Sequence, residues 1–407
     1  MRRLLAVLPF LLPLLQVRAQ EAAESFRLTA AEFARRRSAL VERLPDGAIA
    51  LDAGPLGELG SDANTPVFDF KYLTGVHDNE GVLVLHEKRL FVFVSDPAAQ
   101  PVPGADEVLP LEKLEAWAAE TLARRKVYTK LRRKNLDLLA RAAPSAEAVG
   151  QRLAQELSRL RLIKGELEVR LIRKASDATN RAHLAAMRAI KPGMNEKELE
   201  GIVLSTFRKE GCPELGFPPI LGSGKNGTIL HYMRNNQPIP ADTLIVCDIG
   251  AAIENYVTDI TRTLPTSGKF SDEQRKHYQC VLDAQKAAEA LLKPGATFTD
   301  LEMAARKVFE ERGLVKWSYA HSKDGSVRHG LGHYVGMAVH DSGSYREKFA
   351  PGMVITIEPG WYDKDAGYGI RIEDTYLLTQ DGFDRLSAGA PREIDEVEKA
   401  MASRRDF

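Results

Sequence analysis

Two similar segments about a hundred residues apart restrict what the second part of this chain can fold into. The first runs from Lys191 to Glu200 and the second from Lys293 to Glu302. In both, a Lys-Pro-Gly run ends one helix, and a polar capping residue followed by acidic residues begins the next. The spacing is too long for a solenoid repeat, so we predict a duplicated half-domain in which two helices are followed by strands. The alternative is an ordinary helix–Pro-Gly–helix junction that occurs twice.

The strands after the first repeat carry acidic residues where core residues would be expected. Asp248 lies near the end of the apolar run Leu244 to Gly250, and Asp259 lies in the middle of the predicted strand Tyr256 to Leu264. A hairpin of these strands could place the two carboxylates side by side. Buried carboxylates without partners are very costly, so we expect them to be neutral, to pair or to bind cations.

The second repeat is followed by acidic residues of the same kind. Glu358 ends an apolar strand at a Pro-Gly turn. Alternation along the last strand puts Arg371 and Glu373 on one face and the neighbouring isoleucines on the other. Each half therefore contributes acidic groups at strand positions.

Three of the chain's nine histidines, His329, His333 and His340, lie within twelve residues of one another. The glycines between them leave little side-chain bulk, so the backbone here can approach another group closely. Neutral imidazole is the commonest protein metal ligand and the usual proton carrier near neutral pH. Taken alone, this cluster could also be a solvated loop.

Four carboxylates and one imidazole together predict a site for two divalent cations. The negative charges of Asp248, Asp259, Glu358 and Glu373 balance two such ions. An oxygen-rich shell favours manganese or cobalt-like ions over a sulfur-rich structural zinc site. Two ions of this kind could share a hydroxide nucleophile and polarise a carbonyl group.

The run from His329 to Asp341 resembles the signature of the prolidase and Xaa-Pro aminopeptidase family of metallopeptidases, which share the pita-bread fold with methionine aminopeptidases. The resemblance covers residues 165–385 strongly, and it extends more weakly to the amino-terminal unit through Phe70 to Gly75. Four further motifs resemble the family's ligand motifs in order and spacing: Asp248-Ile249-Gly250, Asp259-Ile260-Thr261-Arg262-Thr263, Glu358-Pro359-Gly360 and Arg371-Ile372-Glu373-Asp374.

The resemblance implies a role for individual residues of these motifs. Glu358 would bind metal and also move the proton from the attacking water. His340 would contact the scissile amide, His231 would be a second substrate-facing histidine, and His329 would line the proline pocket. Arg371 would steady the bridging glutamate and is also expected to be among the substrate-binding residues. The implied ligands are Asp248, Asp259, His333, Glu358 and Glu373, of which Asp259 and Glu373 bridge the ions, Asp248 chelates one, and His333 with Glu358 holds the other.

The residues and the resemblance together predict a dinuclear metallopeptidase that hydrolyses the Xaa-Pro bond at peptide amino termini. The implied cofactors are two divalent ions, manganese first and cobalt or zinc as alternatives, and the implied assembly is a homodimer or tetramer. An Xaa-Pro dipeptidase (prolidase) is the alternative activity. A metal-free pita-bread binding protein or a creatinase-like hydrolase is a further alternative, but competent residue types fill all five ligand positions. Methionine aminopeptidases usually lack an amino-terminal domain of this kind.

The expected fold class is α+β. We predict a pita-bread domain with pseudo-twofold α/β halves at residues 165–390, a smaller mixed α/β domain at residues 20–160, and a tail at residues 391–407. Within the smaller domain the pattern predicts a helix from Thr29 to Leu44, a hairpin of strands Val82–Leu85 and Leu90–Val94, and helical segments from Leu111 to Ala143 and from Ser145 to Leu162.

The amino terminus is typical of an export signal. Arg2 and Arg3 precede the apolar run Leu4 to Leu15, and Val17-Arg18-Ala19 fits a cleavage site, so we expect residues 1–19 to be removed and the protein to be periplasmic or secreted, without stable membrane insertion.

The 56 basic and 56 acidic residues cancel, which argues against a nucleic-acid partner. The densest basic stretch, Arg124 to Lys134, is interpreted as the solvated face of a helix.

Overall fold

The computed structural model describes residues 26–54, 66–77, 80–98, 101–143, 150–321 and 329–403. The predicted export signal at residues 1–19 lies outside these ranges, and export stays a prediction. Within them, none of the helices combines the length and the apolar character that crossing a membrane requires.

A five-stranded sheet forms the centre of the amino-terminal unit. Its elements are α1 (Ala30–Arg43), β1 (Ala48–Asp52), α2 (Pro66–Thr74), β2 (Val82–His86), β3 (Arg89–Val94), β4 (Glu107–Pro110), α3 (Leu114–Thr121), β5 (Val127–Lys130), α4 (Arg133–Ala142) and α5 (Gly150–Leu162). The strand order is β4-β3-β2-β1-β5. β2 and β3 form the predicted hairpin, and the turn residues Glu87 and Lys88 have the positive φ angles that a tight hairpin turn requires. Thr29 caps α1 by accepting a hydrogen bond from the Glu32 backbone N–H.

The prediction of one helical segment from Leu111 to Ala143 is wrong in its middle. The chain enters the sheet there as β5, which pairs in parallel with β1. Val127 and Tyr128 are fully buried in this strand, and their β-favouring side chains fit a pleated surface. The basic stretch Arg124 to Lys134 therefore spans a turn, a strand and the first residues of α4 rather than one helix face. The flanking charges concealed a short buried strand.

The carboxy-terminal unit alternates pairs of helices with short strands. Its elements are α6 (Glu166–Ala189), α7 (Glu196–Lys209), β6 (Glu214–Leu215), β7 (Ile220–Ser223), a 3₁₀ helix (Gly224–Thr228), β8 (Leu244–Ile249), β9 (Ala251–Ile253), β10 (Tyr256–Val257), β11 (Ile260–Pro265), α8 (Asp272–Glu289), α9 (Phe298–Glu311), β12 (Val354–Ile357), β13 (Gly360–Asp363), β14 (Tyr368–Arg371), β15 (Asp374–Leu378), β16 (Phe383–Arg385) and α10 (Ile394–Ala402). The division into domains near residues 160–165 stays a prediction.

The predicted strand Tyr256 to Leu264 is broken where Asp259 lies. β10 belongs to the sheet β10-β9-β6, whereas β11 belongs to the sheet β11-β8-β7. At the break the backbone N–H of Asp259 donates to the Thr375 hydroxyl, 3.2 Å away, instead of to a neighbouring strand. The chain changes sheets at this residue, so Asp259 lies at a strand end and not inside a strand.

The internal repeat is also a repeat in three dimensions. Gly193 donates its backbone N–H to the Ile239 carbonyl at 2.9 Å, and Ile239 donates back to the Met194 carbonyl at 2.8 Å. In the second half, Gly295 donates its backbone N–H to the Phe349 carbonyl and Phe349 donates back to the Ala296 carbonyl, both at 2.8 Å. Both glycines have positive φ angles, 84° and 92°, which favour glycine. Each Pro-Gly junction therefore hydrogen-bonds to the segment that precedes a strand of its half, β8 in the first and β12 in the second.

The two units share a hydrophobic cluster. Leu73 and Tyr128 of the amino-terminal unit belong to the same cluster of buried side chains as Met337 and Val339, which lie between His333 and His340. The histidine-rich segment is thus packed against the amino-terminal unit.

A buried ion cluster lies at the same junction. The Arg161 guanidinium donates to Asp69 Oδ1 at 2.8 Å and to Asp341 Oδ1 at 2.5 Å, and all three side chains are at most 2% exposed. Lys164 Nζ lies 3.7 Å from Asp341 Oδ2. Asp341, the residue that follows His340, is therefore held by two positive charges, Arg161 of α5 and Lys164 just after it, while Asp69 of α2 pairs with Arg161.

Candidate metal centre

Strand ends and strand junctions position the four predicted carboxylate ligands. Asp248 lies in β8, opposite Thr261 of β11, and Asp259 immediately precedes β11. Glu358 follows β12, and Glu373 lies between β14 and β15. Asp248 is the last residue but one of β8 and the other three carboxylates lie just outside strands, so these side chains need not satisfy the packing of a strand interior.

The His333 ring lies among three of the carboxylates. Its Nε2 atom is 3.4 Å from Glu358 Oε1, 3.5 Å from Asp259 Oδ2 and 3.8 Å from Glu373 Oε1. Asp259, His333 and Glu373 each offer a ligand atom, and these atoms lie within 4.8 Å of one another. The predicted ligands from both halves therefore meet in one place.

Several oxygen atoms of this set are buried without a hydrogen bond. Within the described part of the chain, Asp248 Oδ1, Asp259 Oδ1 and Glu373 Oε1 have no hydrogen-bonding partner. Buried polar atoms are normally satisfied, and unsatisfied carboxylates are among the costliest groups to bury. Divalent cations would supply the missing partners, and oxygen and imidazole donors suit them. The donor set fits a metal site.

Three carboxyl groups of this set, those of Asp259, Glu358 and Glu373, hold protons strongly when no metal is present. Burial raises the pKa of Asp259 well above its usual range, and the nearby Asp248 raises it further. Burial and the neighbouring Asp259 likewise raise the pKa of Glu373. The pKa of Glu358 rises to about 8, first through burial and then through Glu373. Cation binding would therefore displace protons near neutral pH.

Arg371 joins the two halves behind the ligands. Its Nη2 atom donates to Asp248 Oδ2 at 2.6 Å, and its Nε atom donates to the Thr261 hydroxyl at 3.2 Å. That hydroxyl in turn donates to Glu373 Oε2 at 2.7 Å. Arg371 therefore contacts Asp248 directly and reaches the predicted bridging glutamate through Thr261. Its predicted contact with substrate stays a prediction, since the side chain is buried among these partners.

Tyr362 is a site residue that the sequence analysis missed. Its hydroxyl accepts a hydrogen bond from Arg371 Nη1 at 3.2 Å and hydrogen-bonds with His329 Nε2 at 2.9 Å. It lies in β13, four residues after Glu358, in a run of apolar and aromatic residues that resembles core. Alternation along β13 puts Tyr362 on the same face as Gly360, which belongs to the Glu358-Pro359-Gly360 motif. This shared face was the signal from which Tyr362 could have been identified.

The remaining histidines lie at different places around this centre. His340 stacks edge-on against His333, with ring centroids 4.4 Å apart. His329 is partly exposed and its Nδ1 atom lies 3.7 Å from Glu358 Oε2. His231 is exposed in the loop between the 3₁₀ helix and β8. Their predicted contacts with substrate stay predictions.

The glycines between the histidines make close contacts within the protein. A Cβ atom on Gly332 would lie 2.1 Å from the Thr356 carbonyl oxygen, and one on Gly336 would lie 1.7 Å from Asp341 Oδ2. The backbone does approach other groups closely here, as predicted. Those groups are β12 and the ion cluster.

Known proteins resemble this chain in sequence along most of its length. The model of metallopeptidase family M24 matches residues 170–380. The chain is 32% identical over 411 residues to the mitochondrial intermediate cleaving peptidase 55 of Arabidopsis thaliana, covering 91% of this chain and 82% of that protein. It is 30% identical over 438 residues to the Xaa-Pro aminopeptidase of Escherichia coli, covering 92% of this chain and 98% of that protein.

Solved structures resemble it in fold. Zinc-substituted aminopeptidase P of Escherichia coli in complex with product matches with a TM-score of 0.80 and 30% identity, over 93% of this chain and 100% of that one. Proline aminopeptidase P II from Yersinia pestis matches with a TM-score of 0.80 and 28% identity, over 92% and 100%. The predicted α+β, pita-bread architecture is confirmed. The chain belongs to metallopeptidase family M24, as a metallo-aminopeptidase with the pita-bread fold.

Proposed function

We propose that this metallopeptidase is an Xaa-Pro aminopeptidase that uses two divalent ions, preferably manganese. The observation that supports this best is the meeting of Asp259, His333 and Glu373 within 4.8 Å, beside Glu358 and Asp248. Similarity to Xaa-Pro aminopeptidases over nearly the whole chain supports the substrate class. Two ions held there would make water a nucleophile at neutral pH and polarise the scissile carbonyl.

The protein's own residues would then position the substrate and move protons. Glu358 would accept and release the proton of the attacking water, because its partly exposed carboxyl lies beside His333 and the other proposed ligands. His340 and His231 would contact the scissile amide and the carbonyl, and His329 would line the proline pocket. Because an Xaa-Pro bond has no N–H to recognise, specificity must come from the shape of that pocket. Exported location and homodimeric or tetrameric assembly belong to the same proposal.

Two other specificities compete with this one. A prolidase would accept only Xaa-Pro dipeptides. The similarity to intermediate cleaving peptidase 55 is as high as that to an Xaa-Pro aminopeptidase, so an intermediate cleaving peptidase is a specific alternative.

A matched peptide panel separates these activities. Protein stripped of metal and reconstituted with manganese is incubated with Xaa-Pro-Yaa tripeptides, Xaa-Pro dipeptides and Xaa-Ala-Yaa tripeptides of the same flanking residues, and release of the first residue is measured. We expect rapid release only from Xaa-Pro-Yaa. Cleavage confined to dipeptides would indicate a prolidase, and equal cleavage of the alanine peptides would refute proline specificity. Bound metal is measured in the same samples, and failure to retain any divalent ion would contradict the proposed mechanism.

A further inference from the structure

A buried carboxylate outside the ligand set holds the loop that contains His231. Glu196 is the first residue of α7 and is 0% exposed. Its two oxygens accept five hydrogen bonds of 2.6–3.3 Å, and the donors are Ser223 N, Ser223 Oγ, Asn226 Nδ2, Tyr232 Oη and Gln237 N. A buried carboxylate with so many donors is satisfied without a counter-cation.

All five donors belong to one segment, residues 223–237, which leads from β7 towards β8. Beyond the 3₁₀ helix this segment contains no regular secondary structure. It includes His231, whose side chain is exposed, next to Tyr232, which is 6% exposed and points inward. The Tyr232 hydroxyl donates to Glu196 Oε2 at 2.9 Å. The carboxylate thus fixes the residue beside His231.

The start of α7 does not itself need Glu196. Asn195 caps the helix by accepting from the Lys197 N–H at 2.9 Å, and Glu198 reaches back to the Asn195 N–H at 3.2 Å, which completes a capping box. The hydrogen bonds of Glu196 are therefore directed at the loop rather than at its own helix.

We propose that Glu196 is a positioning residue that sets the place of His231 in the substrate cleft. The inference deepens the proposed peptidase function, on which it rests. Since Tyr232 and Gln237 bond to one carboxylate oxygen and Ser223 to the other, the carboxylate joins both ends of the loop. A displacement of about 1 Å at a substrate-facing group can cost two orders of magnitude in rate.

The test compares two isosteric substitutions in the same helical turn. Glu196→Gln turns one acceptor oxygen into a donor that faces other donors. Glu198→Gln makes the same change at an exposed position of α7. With the manganese-loaded protein we expect Glu196→Gln to lower kcat for the best peptide by about 10- to 100-fold with KM changed less than about threefold, and Glu198→Gln to stay within about twofold. Equal kcat values for the two variants would overturn the proposal.

A double-mutant cycle shows whether Glu196 acts through His231. In a His231→Ala background, Glu196→Gln should lower kcat by less than about twofold further, because the positioned group is already gone. A full additional loss would mean that Glu196 acts elsewhere and would overturn the proposal. If Glu196→Gln folds poorly, Tyr232→Phe takes its place in the cycle, since it removes a single hydroxyl donor.

Hydrogen exchange separates failure of this inference from failure of the proposed function. In Glu196→Gln, but not Glu198→Gln, the amides of residues 224–237 should exchange about tenfold faster with or without metal. Faster exchange in a protein that cleaves no Xaa-Pro peptide would refute the proposed function while supporting the anchoring of the loop. Unchanged exchange would refute the anchoring itself.

Discussion

The two halves of the carboxy-terminal unit contain equivalent helix junctions, but each junction is anchored to a different kind of loop. In the first half the residue after the capping position is Glu196, whose carboxylate accepts hydrogen bonds from the segment 223–237, which contains His231. In the second half the equivalent residue is Phe298, whose ring contacts Tyr334, Tyr345 and Phe349 at centroid distances of 5.0–5.2 Å. The backbone bonds of the two junctions are alike, whereas the anchoring chemistry differs.

A repeated backbone can therefore serve two purposes, stability in one half and precise positioning in the other. An aromatic cluster stabilises mainly by burying apolar area, which is insensitive to small shifts of the ring. A hydrogen-bonded carboxylate adds little net stability but fixes direction and distance. We therefore expect the second-half anchor to matter most for the free energy of unfolding and the first-half anchor to matter most for turnover.

The largest expected effect concerns how the halves divide the chemistry. Glu358, from the second half, is the proposed proton carrier, so Glu358→Gln should lower kcat by about a thousandfold with metal in excess. Asp248, from the first half, is proposed only as a ligand. Asp248→Asn should therefore weaken manganese binding, and high manganese should restore part of its turnover. Steady-state rates across a manganese titration measure both, and recovery of Glu358→Gln at high manganese would contradict this division.

The next effect concerns the aromatic anchor. Phe298→Ala removes a ring packed against three others, so the free energy of unfolding should fall by about 3–5 kcal/mol. Phe298→Leu keeps most of the volume and should cost about 1.5 kcal/mol or less. Urea denaturation of the metal-free variants beside Glu196→Gln measures the contrast. A greater loss of stability in Glu196→Gln than in Phe298→Ala would break the proposed distinction between the anchors.

The smallest effect is a pH dependence shared between the halves. In the metal-free protein the pKa of Glu358 is about 8 against an ordinary 4.5, so the folded state holds this proton more tightly than the unfolded state. Protonated Glu358 therefore stabilises the folded state. This contribution to the free energy of unfolding is complete below the unfolded-state pKa and is lost as the pH rises through about 8. The melting temperature of metal-free protein should thus fall by a few degrees over this window.

Single substitutions tell which half causes that slope. The pKa of Asp259, in the first half, is raised in the same sense as that of Glu358. Asp259→Asn and Glu358→Gln should therefore each flatten the slope of melting temperature against pH. Manganese should bind more tightly as the pH rises, because it competes with these protons. A slope that neither substitution changes would mean that other groups titrate.

The candidate ligands, which the structure brings together, could be identified because they are chemically conspicuous in the sequence. Asp248, Glu358 and Glu373 interrupt apolar strands, and no local packing reason explains a carboxylate there. The internal repeat was predictable for the same reason, since Pro-Gly followed by a polar cap is a strong local signal. The family and the class of enzyme could therefore be predicted from short sequence segments.

Contacts between distant segments were not predictable in this way. Glu196 resembles an ordinary acidic residue of a first helical turn, and its partners lie 27–41 residues further along the chain. Tyr362 resembles core until β13 and β14 bring it to Arg371. β5 was hidden because three buried residues between basic neighbours give too short a pattern to distinguish from a helix.

The hydrophobic cluster shared by the two units limits how such chains can be recombined. Leu73 and Tyr128 pack in the same cluster as Met337 and Val339, on the segment that bears His333 and His340. Replacing the amino-terminal unit with that of a relative would put mismatched side chains against the segment that bears His333 and His340. A working chimera would have to exchange both sides of this cluster together. The two contacting surfaces, and not the amino-terminal unit alone, would therefore have to come from the same relative.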